Sequence, residues 1–169
     1  GVPGGYYPLD AYNSQELPQA TEYLSFLHPG IKYYQLESVL VQVVSGVNYY
    51  LLYASEDGVS QVEAIVYISL TKTVFLRDME VKCAPQTPTC DLHVALHTLL
   101  SLDLLLTEHP ELNTFALSST LIEDDSRPSD TTFMLTFDDT IQQLRSLAEV
   151  KTWDTSGTIL SFYTFSTAV

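Results

Sequence analysis

Basic residues are scarce in this chain: 7 Lys and Arg stand against 21 Asp and Glu, giving a net charge of -14 over 169 residues. No cluster of cations exists to neutralise phosphates, so nucleic acid and anionic membrane surfaces are poor partners. Long apolar runs are lacking as well. The greasiest stretch, Leu99 to Leu106, is short for a bilayer span and carries Asp103 inside it, so no membrane insertion is expected. No Asn-x-Ser/Thr acceptor occurs, which leaves no place for an N-linked glycan. No Ser/His/Asp or Cys/His set falls at a spacing that a catalytic motif requires, so the chain is not expected to be an enzyme or to need a cofactor. An initiating Met and an apolar signal segment are also missing. The opening Gly1-Val2-Pro3-Gly4-Gly5 is what removal of a leader would leave, and a secreted protein is expected.

The 2 cysteines, Cys83 and Cys90, enclose the turn-rich Ala-Pro-Gln-Thr-Pro-Thr. A local disulfide is sterically plausible there, with free thiols as the alternative. Zinc would need two more ligands, and none are adjacent.

What is present is a soluble-type composition, 46% apolar and 17% charged, with a repeated pattern. The run from His28 to Ser38 returns 81 residues later as His109 to Ser119, with His, Pro, an aliphatic, an aromatic, Leu and Ser in register. Before the first copy, Leu17, Ala20, Leu24 and Leu27 fall at helical spacing, with Asn13 or Ser14 available as N-cap. Before the second, Leu92, Ala95, Leu96, Leu99, Leu102 and Leu106 predict a longer helix capped by Thr89 or Asp91. Both helices are expected to stop at His-Pro, because the residue before a proline is steered away from helix.

Strand-like stretches follow each copy. In the first half they are Tyr34 to Tyr53 with a break near Ser45-Gly46, Val62 to Leu70, and Thr73 to Lys82. Val62, Ala64, Val66, Ile68 and Leu70 alternate with Glu63, Ile65, Tyr67 and Ser69, which makes one sheet face apolar. Asp57-Gly58 marks the turn that feeds this strand. In the second half the stretches are Phe115 to Ile122, Thr131 to Phe137, Leu144 to Trp153 and Thr158 to Phe165. The expected fold is α+β: two tandem units, residues 1 to 86 and 87 to 169, each with one helix packed on a four- to five-stranded antiparallel sheet. Nine acids and four bases fall before residue 87, then twelve acids and three bases, so the second half is the more acidic.

Gln42-Val43-Val44-Ser45-Gly46, continued by Val47-Asn48-Tyr49-Tyr50, resembles the signature loop of the cystatin superfamily, with the paired glycines Gly4-Gly5 upstream. The resemblance implies a reversible, non-covalent inhibitor of papain-like cysteine proteases. Its contacts would be the tail Val2 to Gly5, the loop Gln42 to Gly46 and a second loop near Leu70 to Thr73. The residue chemistry suits a wedge: Val43 and Val44 are apolar, Ser45-Gly46 can turn tightly, and Gly4-Gly5 lets an extended tail pass a constriction. Gly46 is expected in an exposed turn that accepts a bulky replacement without unfolding. The family's Pro-Trp is absent from the second loop, where Leu70-Thr71 stands instead. The spacing from Gly5 to Gln42 is also several residues shorter than the family pattern.

The matching place in the second half, Leu121 to Asp130, is long and charged. Its carboxylates are costly to desolvate in a preformed cleft, so this half is degenerate, structural or a different binding surface. Trp153 lies one residue from the second-loop position. His93 and His97 share a helical face, yet no Glu follows His93 and no third metal ligand is evident. Asp124-Asp125 and Asp138-Asp139 lack the alternation of a calcium loop and read as solvated turns. The rival to inhibition is an extracellular structural protein that self-associates through sheet edges or its N-terminal segment. The 11 tyrosines, many on strand-like segments, exceed what a core of this size needs.

Overall fold

A computed structural model of the chain describes residues 5 to 123 and 130 to 168. Two compact units divide it, Gly1–Ala95 and Leu96–Val169. The described residues of the first unit run β1 (Tyr7–Pro8), α1 (Leu17–Leu27), β2 (Tyr34–Val44), β3 (Gly46–Ser55), β4 (Ser60–Ile68) and β5 (Val74–Cys83). These strands form one antiparallel sheet in the order β1-β2-β3-β4-β5. α2 (Leu92–Glu108) follows, and then β6 (Ala116–Glu123), β7 (Asp130–Asp139), β8 (Leu144–Trp153) and β9 (Ser156–Ser166). The last four make a second antiparallel sheet in chain order.

The expectation of two matching α+β units, each with its own helix on a sheet, needs correction. Half of the structure is strand and 27% is helix. The division between units falls between Ala95 and Leu96, inside α2, so the second unit holds no complete helix of its own. α2 is leucine-rich on most of its circumference. Helical periodicity reports which face of a helix is apolar, and a helix greasy nearly all round carries no record of the sheet it serves. Leu99, Leu102, Leu105 and Leu106 are buried, whereas Leu92 and Leu96 are exposed.

In the first unit β4 shows the cause of the sheet most directly. Ser60, Val62, Ala64, Val66 and Ile68 are buried and the residues between them are partly exposed, the period of two that a pleated strand imposes. Leu70 does not continue the series: the strand ends at Ile68 and Leu70 stands in the following turn. Val41, Tyr49, Leu51 and Tyr53 add to the same core, with Ala20 and Leu24 of α1. Burying an apolar side chain of this size contributes roughly 1.5 to 3 kcal/mol. The Tyr49 hydroxyl donates to the Asn13 carbonyl at 2.5 Å, tying β3 to the 3-10 turn that precedes α1. Asn13 is therefore not the helix cap. Glu16 occupies that position without a side-chain bond, and the Asn13 amide side chain donates to the Tyr7 hydroxyl at 2.9 Å.

α1 and α2 both end at His-Pro. His28 lies at φ -132°, ψ 76° and His109 at φ -129°, ψ 73°, each followed by a 3-10 turn. A β-bulge follows in each next strand, between Leu36 and Ser38 and between Leu117 and Ser119. Asp91 caps α2 by accepting from the amides of His93 at 2.9 Å and Val94 at 3.3 Å. Asp57-Gly58 makes the β3–β4 turn, with Gly58 at φ 73° and the Asp57 carboxylate accepting from Ser55 and the Val59 amide. Cys83 and Cys90 are disulfide-bonded. Among the described residues no helix is long and apolar enough to cross a membrane.

The β7–β8 turn is not solvated in the expected way. Asp139 is buried, and its carboxylate accepts from Thr114, from the Gln142 side chain and from the amides of Ile141 and Gln142. These donors, the Gln142 amide first, hold its pKa below the ordinary carboxylate value. Asp138 pairs with Arg145. Asp124-Asp125 lie outside the described residues.

Burial pushes the Tyr33 and Tyr53 phenols up to about 12. Tyr49 is raised to about 12 by burial, then by the acids Glu16 and Asp10 and by Tyr7. Tyr50 is raised to about 12 by burial and by its bond to Glu63. In the unfolded chain these phenols ionise near 10, so the folded state holds four protons that the unfolded state releases. Stability is expected to be fully present below pH ~10 and to fall between about pH 10 and 12. Tyrosinate absorbance should show these four phenols ionising only as the pH approaches about 12, with urea midpoints dropping over the same window. A single step near pH 10 with the fold intact would contradict the burial of these rings.

Candidate functional site

Strand register brings three segments to one end of the first sheet. Val43 pairs with Val47 and Val44 with Gly46, so Ser45 alone spans the β2–β3 tip. Val47 pairs with Ile68, which sets the β4–β5 turn, residues 69 to 73, beside that tip. Tyr7 pairs with Val41, so Tyr6 and Gly5 run back along β2 towards Val43. Sequence reasoning named Gly5, Gln42, Val43, Val44, Ser45, Gly46, Leu70 and Thr71, and all of them lie on these segments. Gly4, named with them, lies outside the described residues.

The apolar side chains at this end are presented to solvent. Val43 is 43% exposed, Val44 41% and Leu70 73%. Tyr6 is also exposed and meets Tyr50 edge to face, with ring centroids 6.0 Å apart.

Gly46 behaves differently from the expected open turn. It is buried, with φ at +111°, a conformation that side chains disfavour. A Cβ there would stand 2.5 Å from the Ile68 carbonyl oxygen and 2.8 Å from the Tyr67 ring. The turn cannot accept a bulky residue, because Tyr67 already fills the space. Tyr67 in turn donates its hydroxyl to the Ser45 carbonyl. Phe75 stacks beside its ring at 6.2 Å, and the Arg77 guanidinium lies 4.2 Å from the ring centroid. A cation held over an aromatic face is worth about 0.5 to 1 kcal/mol at an exposed site.

Gln42 faces Asn48 across the hairpin and accepts from its side-chain amide at 2.8 Å. The Asn48 carbonyl oxygen is the one buried side-chain polar atom among the described residues with no hydrogen-bond partner.

The β4–β5 turn is held by its own hydroxyls. The Lys72 amide donates to the Ser69 carbonyl at 2.9 Å and Lys72 adopts φ 67°, which closes the turn. Ser69 Oγ lies 2.9 Å from Thr71 Oγ1 and accepts from the Thr73 amide at 3.0 Å. Lys72 Nζ reaches Glu16 Oε1 at 2.7 Å, which ties the turn to the start of α1. Leu70 is thus an exposed apolar residue on a braced turn.

Sequence reasoning passed over Tyr67, Asn48, Arg77 and Lys72. Tyr67 and Asn48 face each other in the register of β3 and β4, a pairing that no local pattern announces. The histidine pair on α2 resolves otherwise: His97 is buried and shares a 2.7 Å hydrogen bond with Thr152. Among the described residues no three His, Cys, Asp or Glu side chains gather as a metal site. No protein-family model matches the chain, and no curated protein matches it.

Gly46→Ala is expected to lower stability by more than about 2 kcal/mol, from backbone strain and contact with Ile68. Tyr67→Phe should cost about 1 kcal/mol, the net worth of one hydrogen bond. Urea midpoints of the two variants measure both. If Gly46→Ala were as stable as the parent, the tip would not be constrained as described.

Proposed function

We propose that the first unit is a reversible, non-covalent inhibitor of papain-like cysteine proteases that enters the substrate cleft with Val43 and Val44 foremost. The observation that carries this reading is the braced tip, Val43-Val44-Ser45-Gly46, flanked at the same sheet end by the N-terminal segment and by Leu70. The sequence there resembles the signature loop of the cystatin superfamily, and the apolar side chains are exposed although every backbone element under them is fixed. A pre-ordered loop loses little conformational entropy on docking, so its apolar contacts are not offset by ordering.

The same geometry favours obstruction over cleavage. Proteases of this class act on a peptide carbonyl presented in extended form to a cysteine thiolate. Here the Ser45 carbonyl is engaged by Tyr67 and the next residue turns at positive φ, so the tip is a poor mimic of an extended substrate. No cofactor enters this mode of action. The Cys83–Cys90 disulfide supports secretion as the place of action.

Titration of the full chain against papain tests the reading. Competitive, reversible inhibition at micromolar protein is expected. Val43→Asp or Val44→Asp should weaken it by at least about tenfold, because a carboxylate must be desolvated in the cleft. Removing residues 1 to 5 should weaken it less. Leu70→Trp should tighten it, since a large aromatic is the residue type that most often anchors an interface. Absence of inhibition at micromolar concentration by the folded chain would overturn the proposal.

A further inference from the structure

Charge and contact are divided between different parts of this chain. The three segments that meet at one end of the first sheet, residues 5 to 8, 42 to 47 and 69 to 73, contain no Asp or Glu, although the chain carries 21. Lys72 is the one basic residue in them, and it pairs with Glu16, just before α1, at 2.7 Å. Arg77 lies over the Tyr67 ring, with Asp78 next to it in β5. Val43, Val44 and Leu70 therefore offer apolar contact with no carboxylate among them that would have to lose its water.

The acids lie elsewhere. Glu56 and Asp57 occupy the β3–β4 turn at the opposite end of the same sheet, because β3 leaves the tip at Gly46 and reaches them only after Ser55. A strand of that length sets the two ends about 30 Å apart. Glu22 on α1, Glu37 in β2 and Glu108 at the end of α2 are exposed. Of the 7 bases, Lys72, Lys82, Arg145 and Lys151 each stand in an ion pair with a carboxylate. Such pairs cancel charge locally and leave the sum at -14.

We infer that this charge selects the target: the tip is delivered to papain-like proteases of net positive charge, and the acids act on the encounter without touching the enzyme. The inference rests on the inhibitor reading and adds to it the electrical character of the partner. Opposite net charges attract over a Debye length, which is about 30 Å at 0.01 M salt and about 3 Å at 1 M. Such steering raises association rates by about 10- to 1000-fold at low salt. The formed complex obeys a different rule. It is held by Val43, Val44 and Leu70, whose apolar contacts are not screened by salt, so dissociation is set by uncharged groups. The two rate constants thus answer to different residues. A papain-like enzyme of net negative charge meets the same tip but approaches against repulsion, so related clefts are discriminated without any change in the wedge.

Stopped-flow inhibition kinetics of the full chain read both constants, against one papain-like enzyme of basic and one of acidic isoelectric point, at about pH 7 and about 0.02 and 0.5 M NaCl. For the basic enzyme, association should slow at least about fivefold in high salt, while dissociation changes less than about twofold. For the acidic enzyme, association should quicken with salt. Glu22→Lys, Glu56→Lys and Glu108→Lys, none of them on the tip segments, together lift the net charge by about six units. The combined variant should slow association with the basic enzyme at least about threefold in low salt and leave it unchanged in high salt. Should it fold poorly by circular dichroism, Glu56→Gln with Glu108→Gln should slow association at least about 1.5-fold. Association that ignores salt and variant, with both enzymes still inhibited, overturns the inference and leaves the inhibitor reading standing. So does a salt dependence carried by dissociation, or faster low-salt association with the acidic enzyme. Absence of inhibition of either enzyme by the folded chain overturns both.

Discussion

At Gly46 the chain turns with φ at +111°, and the volume a side chain would need is occupied by the Ile68 carbonyl and the Tyr67 ring. The order of this end of the first sheet depends on that occupancy. Tyr67 can reach the Ser45 carbonyl only because nothing projects from position 46, and Arg77 and Phe75 hold the same ring from its other sides. A conformational requirement at one residue is thereby converted into rigidity across three strands. Val43 and Val44 can stand exposed without collapsing onto the sheet because the backbone beneath them has one available path.

Where the sequence was legible, the reason was locality. The alternation of Val62, Ala64, Val66 and Ile68 follows from the pleat and needs no partner to be recognised. Asp91 as a cap, Asp57-Gly58 as a turn and Cys83 with Cys90 as a bridge involve residues a few positions apart. The readings that failed required contacts distant in sequence. Asn13 looks like a cap, yet its carbonyl is engaged by Tyr49, 36 residues away. Gly46 looks like an open turn until Tyr67, 21 positions on, is laid over it by the register of β3 and β4.

The helices show the same limit at larger scale. Each His-Pro stop could be read from the chain, since proline restricts the residue before it, and the two stops share nearly the same dihedral angles. Assigning α2 to a unit could not be done that way. Its leucines face several directions, and the boundary between the compact units cuts through its first turn.

The Cys83–Cys90 bridge joins the end of β5 to the residue before the cap of α2, around a stretch that carries Pro85 and Pro88. A peptide bond broken anywhere from Ala84 to Thr89 would leave β5 and α2 covalently joined through sulfur. Exposed turn-rich stretches are where endopeptidases cut most readily. For a chain whose proposed partners are endopeptidases, this is redundancy in connectivity: severing the main chain at that point converts one polypeptide into two without releasing either from the other.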